Sequence, residues 1–293
     1  MPNLLPTPIS RRAFTALLAA AAGLTTIRAH SQGATQYTFA VIGTDKRTPA
    51  DPEHSDILMV SRVDVSAGTV RTLSIPRDLY VEIPGLGWNK INAAFAHAVG
   101  TRPQLDWDVG AAATASTIEH NFGLTIDGVA QTDMGVFPQI IDAIGGADVV
   151  NPYDLGEPNA ATNLMYPEGP LHLDGEQAIM FCRLRHQDGD GARVMRQHLV
   201  LQAILVKLQD PAMLPRIPEL IATLQDVVRT TIPVDVQAEL IPMTPELSSE
   251  DLAFTNINHL LAPGYTAGGA WIYQGDWTTL PGYVEDWLAG VAG

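Results

Sequence analysis

DILMVSRVDVSAGTVRTLSIPR, residues Asp56 to Arg77, decides the fold class. Two β-type runs, Ile57 to Val63 and Thr69 to Ile75, flank Val65-Ser66-Ala67-Gly68, which reads as a hairpin turn. A turn centred between Ser66 and Ala67 pairs residues whose numbers sum to 133. Leu58 then faces Ile75, Val60 faces Leu73, Arg62 faces Arg71, and Asp56 faces Arg77 at the open end. The opposite face carries Ile57, Met59, Val63 and Val70. Apolar residues on both faces require cover from two sides, as in a layered α/β domain. Arg62 against Arg71 sets like charges opposite each other, a conflict that Asp64 would ease by reaching one of them.

Upstream, Tyr37 to Gly43 reads as a short buried strand, turning at Gly43-Thr44-Asp45. Downstream, Ala93 to Val99, Val109 to Phe122 and Gly135 to Ile144 read as helices, the last stopped by Gly145-Gly146. Asp174 to Met180 reads as a short helix feeding an extended piece, Phe181 to Arg185. After the Asp188-Gly189-Asp190-Gly191 turn comes a long helix, Arg193 to Gln209, with Asp190 placed as its N-cap. Val194, Leu201, Ile204, Leu205 and Leu208 form its expected buried face. Residues 211 to 250 are punctuated by proline, yet Ile217 to Val228 keeps an apolar period, so the stretch belongs to the same domain. The aromatic tail, Trp271 to Trp287, is read as core packing, with a sugar platform as the alternative.

The chain has 293 residues, 46% hydrophobic and 17% charged, which suits one large domain or two small ones and excludes disorder over most of its length. Its formal charge is −15, and residues 1–30 hold Arg11, Arg12 and Arg28 with no acid; the remainder therefore carries 14 cations against 32 acids, or −18. Nucleic acid is excluded as a partner on that balance. Cys182 is the single cysteine, so there is no internal disulfide and no multi-cysteine zinc site. No G-x-S-x-G, H-E-x-x-H, Walker or dinucleotide-glycine motif occurs. Ser10-Arg11-Arg12-Ala13-Phe14 opens an apolar run, Ala13 to Ile27, of 15 residues. That is short of the roughly 20 needed to span a bilayer. Residues 1–30 therefore read as a twin-arginine-like signal segment, with an amphipathic surface helix as the alternative. The protein is expected to be exported to the cell envelope, with residues 13–27 either cleaved off or kept as a weak membrane anchor.

Four of the scarce cations, Arg183, Arg185, Arg193 and Arg196, fall within 14 residues. Arg183 and Arg185 would share a face of an extended segment, and Arg193, Arg196 and Gln197 a face of a helix. Arginine in a first helical turn opposes the macrodipole by roughly 0.3–1 kcal/mol. Placement against that preference suits an anion site, where a guanidinium recognises phosphate in a planar, bidentate way. The alternative is pairing with acidic surface neighbours. Asp45 and Asp56 bring hard oxygen ligands from a second direction, suited to magnesium against a pyrophosphate. The alternative for each is a turn former.

Read in order, Gly43-Thr44-Asp45-Lys46-Arg47, Ser55-Asp56, Ser74-Ile75-Pro76-Arg77-Asp78, Lys90-Ile91-Asn92-Ala93-Ala94 and Leu173-Asp174-Gly175-Glu176-Gln177-Ala178 form a motif series. Arg183-x-Arg185-His186, followed by Asp190-x-x-Arg193-x-x-Arg196-Gln197, completes it. The series resembles that of the LytR-CpsA-Psr family over about residues 37 to 208, with weaker similarity from 209 to 293. The resemblance implies a three-layer α/β/α sandwich around a mixed central sheet, one catalytic domain over residues 35–293. It implies an extracytoplasmic phosphotransferase that moves a glycopolymer from an undecaprenyl-pyrophosphate carrier to peptidoglycan, at the C6 hydroxyl of N-acetylmuramic acid. Its partners would be the polyprenyl-pyrophosphate-linked glycan, peptidoglycan and the membrane surface. Carried onto this chain, Asp45 and Asp56 would hold Mg2+ or Mn2+, and Arg77, Arg183, Arg185, Arg193 and Arg196, with Gln197, would bind the pyrophosphate. Lys90 and Asp190 would be accessory, with Asp190 or Asp78 left to accept the acceptor's proton. His54 stands where the family often has arginine. Two other readings suit the same residues: a polyprenyl-phosphate carrier or sensor without turnover, and a lipid pyrophosphatase.

Overall fold

The computed structural model describes residues 36–45, 54–100, 107–156, 166–184, 189–210, 213, 228–243 and 247–291. The signal segment and the apolar period at Ile217 to Val228 fall outside those residues, except for Val228 itself. The first half of the chain runs β1 (Gln36–Asp45), β2 (His54–Asp64), β3 (Thr69–Ser74), the hairpin β4 (Tyr80–Ile83) and β5 (Gly87–Lys90), α1 (Ala93–Val99), α2 (Trp107–Phe122) and β6 (Gly128–Asp133). Then follow α3 (Phe137–Ala143), the pair β7 (Ala147–Asn151) and β8 (Gly169–Leu173), α4 (Gly175–Arg183), α5 (Gly189–Gln209), β9 (Val228–Thr230) and α6 (Val234–Leu240). The chain closes with β10 (Leu252–Asn256), the hairpin β11 (Leu261–Tyr265) and β12 (Trp271–Gly275), and α7 (Leu280–Leu288).

Six strands form one mixed sheet in the order β10-β3-β2-β1-β6-β9. The expected β2–β3 register holds: Val60 pairs with Leu73 and Arg62 with Arg71. Beyond the last ladder pair, the Ile75 N–H donates to the Leu58 carbonyl at 2.8 Å. The like-charge conflict is resolved by α7 instead of Asp64. Arg62 donates to both carboxylate oxygens of Glu285, at 2.6 and 3.0 Å. Arg71 donates to the Trp287 carbonyl at 3.3 Å and lies over the Trp287 ring. Asp64 is spent on its own turn, where it accepts from Ser66 and the Ala67 N–H.

Both sheet faces are covered. On one, Ala40, Ile42, Leu58, Val60 and Leu73 share a core with Ala94 of α1, Ile118 of α2 and Val284 and Trp287 of α7. On the other, Tyr37 and Phe39 pack under Val236 of α6, and His198 of α5 meets Ser74 and Phe254. Beyond this layer Ile141, Phe181 and Val200 join α3, α4 and α5 in a second core. The result is the expected three-layer α/β/α arrangement.

Two local expectations need correction. Phe181 and Cys182 are helical, because with Ala178 they fall on one buried helical stripe facing the second core. The alternating Arg183-Leu184-Arg185 pattern gave no hint of that stripe. Gly189 already begins α5, so Asp190 lies within the helix and Arg193 and Arg196 lie beyond its first turn. The buried face of α5 runs through Val194, Val200 and Ala203, with Leu201 and Ile204 half-buried. The aromatic tail divides: Trp287 and Ile272 are buried, while Trp271 is exposed.

Candidate functional site

Asp56 owes its position to an irregularity in the sheet. Gly43 pairs with Ile57 but Thr44 pairs with Ser55, so Asp56 is the extra residue of a β-bulge. The bulge sets the carboxylate against Arg77, where Arg77 Nη1 and Asp56 Oδ1 lie 2.8 Å apart. Arg77 sits in a tight turn closed by the Leu79 N–H donating to the Pro76 carbonyl at 3.0 Å. The Lys90-Ile91-Asn92 motif braces that turn through its backbone, with Asn92 N–H on the Arg77 carbonyl and Ile91 N–H on the Leu79 carbonyl. From the far end of the chain, the Tyr273 N–H donates to the Asp78 carbonyl at 2.9 Å.

The side chains continue the chain of charges. Arg77 Nε lies 3.4 Å from Asp78 Oδ2, and Lys90 Nζ lies 2.7 Å from Asp78 Oδ1. All four groups are less than a third exposed. Burial works against the Arg77 charge, but Asp56 and then Asp78 outweigh it and hold its pKa above the ordinary value.

Beside Asp56 the sheet end is polar where it would otherwise be core. Thr44 and Ser55 are fully buried cross-strand partners, and Gln131 of β6 donates to Thr44 Oγ1 at 3.3 Å. Ser55 Oγ, Gln131 Oε1 and His54 Nδ1 are buried without a hydrogen-bonding partner among the described residues. Buried polar atoms normally find partners, so these three point to a polar guest at this end of the sheet. The oxygens there are hard donors that could serve Mg2+ or Mn2+. Among the described residues no three His, Cys, Asp or Glu side chains cluster. Asp45 ends β1 opposite His54, and its side chain lies outside the described residues.

The second group of cations lies where α4 meets α5. The α4 start is set by a capping box, Asp174 accepting from the Gln177 N–H at 2.8 Å while Gln177 Oε1 accepts from the Asp174 N–H at 3.0 Å. Gly175 is needed there, because a Cβ would stand 2.2 Å from the Pro138 carbonyl oxygen. Arg193, Arg196 and Gln197 share one buried face of α5, and Arg196 is fully enclosed. Arg196 donates from Nε to the Phe181 carbonyl at 3.0 Å and from Nη2 to the Leu184 carbonyl, so it closes the C-terminal end of α4. Arg183, in the last turn of α4, is exposed. Burial pushes the Cys182 thiol up to about 12, against the opposing charges of Arg196, Arg183 and Arg193. Arg185 lies outside the described residues, as does the side chain of Asp190.

Ser74 and His198 join the two groups. Ser74 Oγ and His198 Nε2 are 2.9 Å apart, three residues before Arg77 and one after Gln197. Burial pushes the imidazole down to about 4, so it is neutral at physiological pH. Sequence reading missed His198 and Gln131, and took Ser55 only as a motif neighbour of Asp56. Each looks like an ordinary core or strand residue until its neighbours across the fold are known.

The pattern of the LytR_cpsA_psr family matches residues 19–282. The chain belongs to the LytR_cpsA_psr family. It is 31% identical over 232 residues to the polyisoprenyl-teichoic acid–peptidoglycan teichoic acid transferase TagU of Bacillus cereus, covering 78% of this chain and 71% of that one. Its fold matches that of B. subtilis TagV with a TM-score of 0.71 at 24% identity, over 88% of this chain and 97% of that chain. TagT bound to LIIa-WTA superposes with a TM-score of 0.70 at 21% identity, over 92% and 95% of the two chains. This LytR_cpsA_psr member is an enzyme of the transferase class. Among its described residues no helix is long and apolar enough to cross a membrane.

Proposed function

We propose that this enzyme is an exported phosphotransferase that moves a glycopolymer from an undecaprenyl-pyrophosphate carrier to a peptidoglycan hydroxyl. One observation carries the reading: Arg77 is held by two carboxylates at a bulged sheet end, beside buried oxygens without a hydrogen-bonding partner among the described residues. On this reading the site would take a phosphate together with its counter-ion. The relative TagU is named for transfer of teichoic acid to peptidoglycan, and a TagT structure holds LIIa-WTA. Residues 1–30 would direct export, and the site would then work at the outer membrane surface, where a prenyl-linked donor lies.

Arg77, Arg183, Arg185, Arg193 and Gln197 are assigned to the pyrophosphate, with Arg196 holding the α4 end that presents Arg183. Asp45 and Asp56 would hold Mg2+ or Mn2+, whose positive charge offsets that of the phosphates. In the reaction the acceptor oxygen forms a bond to the phosphorus that carries the glycan. The bond from that phosphorus to the bridging oxygen breaks, and undecaprenyl phosphate leaves with the electron pair. Charge grows on the leaving oxygen, and at an effective dielectric near 20 each cation about 4 Å away interacts by about 4 kcal/mol before desolvation. Both Asp78 oxygens are engaged by Lys90 and Arg77. Asp78 therefore positions Arg77, and Asp190 would receive the hydroxyl proton.

Purified protein given a lipid-linked pyrophosphoryl oligosaccharide, magnesium and peptidoglycan should yield a phosphodiester-linked product. Arg77→Ala and Arg183→Ala should each lower the rate by about 10²-fold or more. Tight lipid binding without metal dependence or turnover would identify a carrier instead, and release of monophosphate without an acceptor would identify a pyrophosphatase.

A further inference from the structure

Lys90 leads outward from the site to an aromatic surface. Trp88 and Lys90 are two apart on β5, so they share a face of the β4–β5 hairpin. Trp88 is 49% exposed. Its indole is nevertheless held in place: Tyr80 packs against it at 5.5 Å and a 35° tilt, and Trp277 meets it edge-on at 6.4 Å. Trp277 is itself braced against Phe122 at 5.6 Å. A rigid, half-open indole costs little entropy to use, and its apolar face matches the axial C–H face of a pyranose. The rim is polar: Glu82, the cross-strand partner of Trp88, lies 3.3 Å from His120 Nε2, and both side chains are about half exposed. Carboxylate and imidazole at a ring edge are the groups that take sugar hydroxyl and acetamido hydrogen bonds.

The position of this surface selects its occupant. The arginines of α4 and α5 belong to the sheet face that carries Ser74, whereas Val81 and Ile83 of the hairpin belong to the core on the opposite face. Asp78 ties the hairpin to Arg77, with Lys90 Nζ 2.7 Å from Asp78 Oδ1 and Arg77 Nε 3.4 Å from Asp78 Oδ2. In-line displacement brings the entering oxygen from the side opposite the leaving undecaprenyl phosphate. We propose that Trp88, backed by Tyr80 and Trp277, is the platform on which a sugar ring of the acceptor glycan strand stacks, with its hydroxyl directed past Lys90 toward Arg77. The assignment to the acceptor rests on the transferase reading above; the stacking site does not.

The probe is a soluble tetrasaccharide of alternating N-acetylglucosamine and N-acetylmuramic acid, added to the full chain and followed by tryptophan fluorescence and by calorimetry. Trp88→Ala should weaken binding about tenfold or more, while Trp88→Tyr, which keeps a ring, stays within about threefold of wild type. Unchanged urea midpoints would show that both variants fold. In the transfer assay Trp88→Ala should raise the acceptor KM about tenfold and leave kcat and the lipid-donor KM within about twofold. Tetrasaccharide binding unaffected by Trp88→Ala, or a rise in donor KM in place of acceptor KM, overturns the proposal. Tetrasaccharide binding that depends on Trp88 in a protein without transfer activity would sink the transferase reading and leave the platform standing. Intact transfer with an acceptor KM indifferent to Trp88 would do the reverse.

Discussion

Replacing Asp56 by asparagine keeps the side-chain volume and removes the charge that Arg77 meets at 2.8 Å. Both side chains are less than a fifth exposed, and Arg77 then has Asp78, at 3.4 Å, as its remaining carboxylate. A guanidinium cannot escape by losing its proton. A charge-assisted hydrogen bond of this kind contributes about 1.5–3 kcal/mol, and breaking a buried pair from one side costs up to about 3–5 kcal/mol. Residual exposure and the support from Asp78 place the loss near the lower end, about 2 kcal/mol, or roughly 4–8 °C in Tm for a chain of this size. Urea denaturation in the presence of a chelator measures it at constant ionic strength and without divalent ions. Arg77→Met and the double variant complete a cycle, in which the double variant should be less damaged than the sum of the singles by about 1–2 kcal/mol. Single effects that add within about 0.5 kcal/mol would refute the reasoning, because the bulge would then not be holding the two charges together.

Gly175→Ala puts a Cβ 2.2 Å from a backbone oxygen of Pro138, so α3 and α4 must separate; a loss of about 2–4 kcal/mol in urea melts is expected, and a neutral result would mean that this contact is loose. His198 has a pKa pushed down to about 4 by burial against an ordinary value of 6.5, so the unfolded chain takes up its proton first. Its contribution is fully present above about pH 6.5 and is lost as pH falls toward 4, up to about 3 kcal/mol; His198→Gln, which can still bond Ser74, should lack that acid limb. Cys182 is buried with its thiol pushed up to about 12. It should resist a disulfide reagent at about pH 8 in the native protein and react at once after denaturation in urea, and prompt native reaction would contradict the burial.

What was legible in the chain was local. The β2–β3 register follows from alternation of apolar residues about a short turn, and it placed Asp56 opposite Arg77 before any tertiary contact was known. The α1 boundaries and the glycine stop after α3 follow from helical periodicity and from the positive φ that Gly145 and Gly146 adopt. The crowding of arginines between 183 and 196 was likewise visible, although their local setting was misread. Helix boundaries there depend on which residues the second core buries, and the Phe181 and Cys182 stripe appears only once α3 and α5 are packed against it.

Tertiary structure alone decided how the charges are used. Arg62 and Arg71 tolerate each other because Glu285 and Trp287 arrive from α7, more than two hundred residues along the chain. Asp56 gains its direction from a bulge that exists only against β1, and Arg196 turns from a surface cation into the closure of a helix end because Phe181 and Leu184 present carbonyls to it. The elements and the stock of charged groups follow from the chain's local pattern, because those depend on periodicity and composition within a few turns or strands. Pairing, burial and reach depend on distances between remote segments, and those exist only when the sheet and its two covering layers have formed.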